Sequence, residues 1–160
     1  MIEHGISLSP LPAPLHLITS HVVPPSFQEY IVGGRKYTVG YEKRLTPSFP
    51  FKAVFKGTIA LNGDSAKYDV IIKFTPTYCG DAHQKLANVK RAPFLQFCEH
   101  VESVGMYVVV IDYEDGEQAE TPLRDGGHIK QLQEAVKVLH DANYVHGDLR
   151  GPNILITTEG

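Results

Sequence analysis

The sequence predicts an α+β fold, in which a run of strands with one short helix precedes a long helix. Two tight-turn sequences, Gly33-Gly34 and Asn62-Gly63, are flanked by β-branched and aromatic residues and indicate two hairpins. Residues 128–142 carry the clearest amphipathic helical pattern in the chain. Because strands and helix are segregated along the chain, an alternating βαβ fold is not expected.

The elements between these landmarks follow from local pattern. Proline-rich residues 1–28 are expected to form an irregular leader that can still pack on the domain through Leu15, Leu17 and Ile18. A short helix is expected at 81–90, ended by Pro93, and a polar acidic loop at 114–127. The expected strands are a hairpin within 29–39, Lys52–Leu61 paired with Tyr68–Phe74, then 94–101, 106–112 and 154–156.

The composition limits the class of protein. The chain has 160 residues, 42% of them hydrophobic, and a net charge of -3, so a folded domain is expected and neither nucleic acid nor a membrane is required as partner. Its two cysteines, Cys79 and Cys98, are typical of reduced thiols, and the sequence has neither a membrane-length apolar run nor a secretory signal. A cytoplasmic or nuclear location is therefore expected.

The strongest functional motif is residues 146–153, His-Gly-Asp-Leu-Arg-Gly-Pro-Asn. Phosphoryl transfer needs a carboxylate that receives or orients the attacking hydroxyl and an oxygen ligand for magnesium beside the phosphates. Asp148 and Asn153, five residues apart in a tight loop, would supply these groups, and Arg150 would neutralise phosphate charge. The plainer alternative is a turn built from glycines and a proline.

This stretch resembles the catalytic loop of eukaryotic-type protein kinases, H-x-D-L-x-x-x-N. Gly147 stands where most protein kinases have arginine. The resulting His-Gly-Asp sequence is similar to that of the aminoglycoside and choline kinase branch of the superfamily. Together with the Val-Ile-Ile-Lys-Phe strand that contains Lys73, the chain most resembles the kinase-like proteins common in fungi, over about residues 50–157. The resemblance implies a kinase-like N-lobe and hinge in 29–113, an antiparallel sheet with one short helix, followed by a partial helical C-lobe in 114–160.

The resemblance also implies ATP and Mg²⁺ as cofactors. Lys73 would bind phosphates, although an exposed lysine at a strand end is a common alternative. The family's lysine pairs with a glutamate on the next helix, and Asp81 is the best substitute here, whereas His83 is expected to be structural. In the implied site, Asp148 and Arg150 are the catalytic residues and Asn153 binds the metal. The nucleotide would be bound by Lys73, Asp81, Ile111 and Tyr113, and Asp112, between the last two, would also contact adenine.

The sequence departs from the family at two points. The stretch from Lys43 to Gly57 lacks the phosphate-covering G-x-G-x-x-G loop, and the sequence ends before the D-F-G aspartate. The expectation is therefore a fragment, a truncated product, or a half that needs a partner. Helix 128–142 would then expose a stripe through which copies could associate, formed by Ile129, Leu132, Val136 and Leu139.

Three functions remain open at this point. The first is transfer of the ATP γ-phosphoryl group to a protein Ser/Thr or a small-molecule hydroxyl, impaired by the truncation. The second is a non-catalytic, pseudokinase-like binding module. The third is a small α+β domain whose loop matches by chance.

Overall fold

The structure is a computed structural model that describes residues 26–46, 53–120 and 122–157. Strands hold 41% of these residues and helices 22%, so the sheet determines the architecture. The elements in chain order are β1 (Glu29–Val32), β2 (Arg35–Arg44), β3 (Ala53–Leu61), β4 (Tyr68–Thr75), α1 (Gly80–Asn88), β5 (Leu95–Val101), β6 (Met106–Asp112), β7 (Gly116–Gln118), α2 (Gly126–Asp141), a 3₁₀ turn (Gly151–Asn153) and β8 (Leu155–Thr157).

The main sheet has six antiparallel strands in the order β1-β2-β3-β4-β6-β5. It curls until its two end strands face each other, and the ring centroids of Tyr30 on β1 and Phe97 on β5 lie 4.8 Å apart. The predicted kinase-like N-lobe followed by a partial helical C-lobe is therefore wrong, because the chain forms a nearly closed, barrel-like sheet with two helices. Local periodicity predicts strands and turns, whereas this curvature depends on aromatic contacts between residues far apart in the sequence.

The core lies inside the curled sheet. Alternate residues of β4 and β6 point inward, as the two-residue period of a strand requires. Phe27, the residue two before β1, is 5% exposed and packs against both Tyr30 and Phe97, so the predicted leader 1–28 contains a core residue. The buried cluster consists of Phe27, Tyr30, Val39, Phe55, Ile59, Val70, Ile72, Phe74, Phe97, Val108 and Val110.

Both predicted hairpins are confirmed, and glycine explains why they turn where they do. Gly33 and Gly34 have φ angles of 57° and 74°, the left-handed values that a primed two-residue turn needs. Gly63 has a φ angle of 90° in the turn between β3 and β4. The predicted start of β3 at Lys52 and the suggested contacts of Leu15, Leu17 and Ile18 lie outside the described residues.

Gly57 has a packing role, not the phosphate-binding role sought in a glycine-rich loop. It pairs with Tyr41, next to the register shift between Tyr41 and Lys43. A Cβ atom at position 57 would lie 2.1 Å from the carbonyl oxygen of Gly40. Strands β2 and β3 can approach this closely only because residue 57 has no side chain.

Both predicted helices form, with shifted ends. Helix α1 ends before Pro93, at a turn in which Lys90 has a φ angle of 56°. Helix α2 begins at Gly126, two residues earlier than predicted, because Asp125 caps it by accepting a hydrogen bond from the backbone N–H of His128. Asn143, at a φ angle of 62°, follows its C-terminus as expected.

The predicted apolar stripe on α2 is only partly exposed. Leu139 is 3% exposed, whereas Ile129 is 36% exposed. Arg91, after α1, holds the two helices together through a 3.1 Å ion pair with Glu134 and a contact with Gln131. Neither described helix combines the length and the apolar character that crossing a bilayer demands.

The acidic segment 114–127 was predicted to be a loop throughout. It contains the short strand β7 instead. That strand pairs antiparallel with β8, and Ala119 extends the ladder by donating its N–H to the carbonyl of Ile154. Gly116 permits the close approach, because a Cβ there would lie 2.5 Å from the carbonyl oxygen of Ile156. The segment Gly-Glu-Gln has low intrinsic strand preference, so its partner β8 creates the strand.

Candidate functional site

The predicted catalytic loop brings three polar side chains into direct contact. The Nδ2 of Asn153 donates to the carbonyl oxygen of Asp148 at 2.8 Å and to its carboxylate Oδ2 at 2.9 Å. The other carboxylate oxygen, Oδ1, lies 2.8 Å from the Nε of Arg150. The loop therefore fixes the orientation of the Asp148 carboxylate by groups two and five residues away.

This geometry defines which atoms could meet a ligand. A carboxylate only accepts hydrogen bonds, so Asn153 must turn its amide nitrogen toward Asp148, and its Oδ1 is left as an acceptor or a ligand for a hard cation. The Arg150 and Asp148 side chains are 56% and 57% exposed. The cluster lies at the surface, where a hydroxyl-bearing molecule could reach the carboxylate.

Lys73 lies on the outer face of the main sheet. Its neighbours Ile72 and Phe74 point into the core, so Lys73 points outward, in the cross-strand row that also contains Val109 and Cys98. Its Nζ lies 5.4 Å from the centre of the Tyr78 ring. A cation over an aromatic face at this distance is electrostatically attracted to it.

Tyr78 also anchors helix α1 through a contact with His83. No sequence motif predicts this contact. The Tyr78 hydroxyl lies 2.7 Å from Nδ1 of His83, and the Nε2 of that ring lies 2.8 Å from the carbonyl oxygen of Pro93. A carbonyl accepts only, so Nε2 carries a proton, and in the neutral tautomer with that proton Nδ1 accepts from the Tyr78 hydroxyl. Burial raises the pKa of Tyr78 to about 12, which keeps its hydroxyl protonated as the donor.

Asp81 lies in the first turn of α1 and is exposed. A carboxylate there interacts favourably with the helix dipole. Asp81, which was predicted to pair with Lys73 in a nucleotide site, thus has a structural reason for its position that requires no ligand.

The predicted adenine-contacting residues lie at the end of β6. Ile111 pairs with Ile71 on one side and Leu95 on the other, so its backbone is inside the sheet. The next two amides are also used, since Asp112 donates to Phe94 and Tyr113 donates to Asp69, each at 3.0 Å. The exposed feature here is the Tyr113 ring, 4.1 Å from the Nζ of Lys56.

Two clefts lie elsewhere in the described structure. One, of about 450 Å³, lies between the β7–β8 pair and the start of α2, and the other, of about 630 Å³, lies between β1 and β5. Neither is lined by Lys73, Asp148 or Asn153. Within the described ranges, no group of three or more His, Cys, Asp and Glu side chains is arranged to hold a metal ion.

The comparisons with known proteins add no relative to this picture. The sequence matches no protein-family model, and no curated protein matches it significantly.

Proposed function

We propose that loop 146–153 is the acceptor side of a phosphoryl-transfer site that uses Mg²⁺-ATP and a hydroxyl substrate, a protein Ser/Thr or a small molecule. The observation that carries this proposal is the oriented carboxylate of Asp148, held on one oxygen by Asn153 and on the other by Arg150. The likeness of the loop to kinase catalytic loops supports it. Because ATP is an intracellular metabolite, the proposed location is the cytoplasm or the nucleus.

Each residue has a role in the proposed reaction. The substrate hydroxyl attacks the γ-phosphorus, the bond to the ADP oxygen breaks, and Asp148 orients the hydroxyl and receives its proton. The Oδ1 of Asn153 would ligate Mg²⁺, which neutralises phosphate charge. Arg150 uses one of its five N–H donors on Asp148, so the other four are able to face a phosphate.

The nucleotide side of the proposal rests on the sheet. Lys73 would bind the α- and β-phosphates after leaving the Tyr78 ring, and Asp81 would balance its charge. Ile111 and Tyr113 would border the base, with the Tyr113 ring as the stacking surface.

A second candidate function, a non-catalytic binding module, is favoured by a specific observation. Both carboxylate oxygens of Asp148 are already paired within the loop. Such mutual pairing also stabilises a rigid surface turn without any chemistry. A module of this kind would act through its surface, including the exposed part of helix 128–142, instead of through turnover.

The test combines melting temperature and turnover. Mg²⁺-ATP at a hundredfold excess over its Kd should stabilise the full chain by about 2.7 kcal/mol, and Lys73→Ala should abolish this shift. Phosphoryl transfer to Ser/Thr peptides or small alcohols should fall roughly 100-fold or more in Asp148→Asn. Lys67→Ala and Asp115→Asn change an exposed lysine and an exposed aspartate outside the proposed site, and they should behave like the parent chain.

The outcomes separate the two functions. Binding with turnover that depends on Asp148 supports the phosphotransferase. Absence of both a melting shift and turnover contradicts it and leaves the binding module. A melting shift that survives Lys73→Ala contradicts the assigned role of that lysine.

A further inference from the structure

The cleft of about 630 Å³ lies between the two ends of the main sheet. β1 and β5 stand at opposite ends of the strand order, and in the described part of the chain each pairs with one neighbour only. An unpaired strand edge presents backbone N–H and C=O groups that can pair with another strand. Here two such edges border the same cleft.

The β5 wall of this cleft has a regular pattern. Phe97, Glu99 and Val101 line it, which is every second residue and hence one face of the strand. Along this wall an apolar side chain is followed by an acidic one and then by a second apolar one. The described residues that line the cleft include neither lysine nor arginine, and of the two acids among them Glu29 is already paired with Lys36 at 2.8 Å. Glu99 is thus the acid that faces the cleft.

Tyr30 is a second distinctive feature of the cleft. It lines the cleft and is only 5% exposed, yet its buried hydroxyl has no hydrogen-bond partner among the described residues. A buried hydroxyl without a partner costs free energy, which a ligand carrying a hydrogen-bonding group would recover.

We propose that this cleft binds an extended segment of a partner protein as an added strand on β5. All neighbouring strands of the six are antiparallel, so β1 and β5 run in opposite directions and an inserted strand is antiparallel to only one of them. β5 has seven residues and β1 has four, so the longer ladder forms antiparallel to β5.

The same register specifies the sequence of the partner segment. Directly opposed residues of paired strands share a face and pair by chemistry. An apolar residue opposes Val101, a lysine or arginine opposes Glu99, and a second apolar residue opposes Phe97. The predicted recognition pattern is apolar-x-basic-x-apolar.

The probe is the labelled peptide Thr-Val-Thr-Lys-Thr-Val-Thr, and its matched control carries Glu in place of Lys. Fluorescence polarisation with the full chain should show the Lys peptide binding at least about tenfold more tightly than the Glu peptide. Glu99→Lys should reverse this preference. Glu102→Lys, an equal charge change in the turn after β5 and outside the cleft lining, should leave the preference unchanged.

Backbone pairing is tested separately from charge. A version of the Lys peptide with N-methyl groups on its outward-facing residues keeps the side chains but cannot donate to β5, so it should bind at least about tenfold more weakly. Addition of the unmodified peptide should slow hydrogen exchange of β5 amides.

Several results would overturn the proposal. Equal affinity for the Lys and Glu peptides, or unchanged affinity after N-methylation, would show that the pattern is not recognised. Protection in the free monomer of those β5 amides that do not pair with β6 would show that the chain itself covers this edge. Protection that depends on protein concentration would identify a second copy as the occupant.

Discussion

At the scale of single residues, two tyrosines of the barrel differ in their hydrogen bonding. The hydroxyl of the half-buried Tyr41 donates to the carbonyl oxygen of Phe27, whereas the buried hydroxyl of Tyr30 has no partner among the described residues. Burial raises the pKa of both above the ordinary value, so both hydroxyls stay protonated. The contribution of each hydroxyl to stability therefore depends on its hydrogen bonding alone.

The two Tyr→Phe substitutions should have opposite signs. Tyr41→Phe should lower the free energy of unfolding by about 1 kcal/mol, because it removes a hydrogen bond and leaves the Phe27 carbonyl unpaired. Tyr30→Phe should raise it by up to about 1 kcal/mol, because it removes an unsatisfied buried group. Urea unfolding of the two variants measures both, and a loss of equal size in each would contradict the difference in hydrogen bonding.

The catalytic-loop prediction also belongs to the residue scale. The spacing of Asp148 and Asn153 sufficed to predict that their side chains would meet, because a tight loop of this length leaves few alternatives. The same sequence did not reveal that Arg150 would pair with Asp148 itself. It also gave no sign of the Tyr78–His83 contact, which depends on where helix α1 packs.

At the scale of elements, the capping of α2 should depend on pH. The hydrogen bond from the His128 backbone N–H lowers the pKa of Asp125 below its usual range, with a smaller contribution from the nearby His128 ring. A carboxyl whose pKa is lower in the folded state stabilises the fold above its unfolded pKa. That stabilisation is lost as the pH falls through the folded value.

The urea midpoint of the parent chain should therefore exceed that of Asp125→Ala at about pH 5, and the difference should shrink toward about pH 3. Asp125→Asn is the matched control, since asparagine caps nearly as well but does not titrate in this range. Its advantage over Asp125→Ala should stay constant with pH. An equally steep decline in the Asn variant would assign the effect to other carboxyls.

The elements that local chemistry determines were predictable, and those that depend on distant partners were not. Gly33-Gly34 and Gly63 determine their turns through positive φ angles, so both hairpins could be located from sequence. β7 forms only because β8 lies beside it, and nothing in Gly-Glu-Gln indicates this. For the same reason the resemblance to kinases, which rests on a loop and one strand, predicted the wrong architecture.

At the scale of the whole molecule, stability should be uneven. Val70, Ile72, Val108 and Val110, in the central strands β4 and β6, are fully buried, whereas Leu139 is the one described residue of α2 that is buried. Regions with few buried apolar contacts open locally without global unfolding. The part of the chain that contains α2 should thus be less stable than the barrel.

Hydrogen exchange should show this gradient directly. Amides of β4 and β6 should exchange at least about tenfold more slowly than those of α2. Arg91→Ala should accelerate exchange in α2 alone, because it removes the link to Glu134. Lys137→Ala, which removes an ion pair internal to the helix, is the control and should have little effect. Equal protection throughout would show that the chain opens as a single cooperative unit.

The stacked tyrosines beside the cleft give the molecule a built-in optical reporter. The sequence has eight tyrosines and no tryptophan, so its intrinsic emission comes from phenol rings. The rings of Tyr30 and Tyr37 lie 5.1 Å apart and within 13° of parallel, close enough for excitation to pass between them. Ultraviolet emission and near-ultraviolet circular dichroism of the unlabelled chain should therefore change whenever the space between the end strands becomes filled.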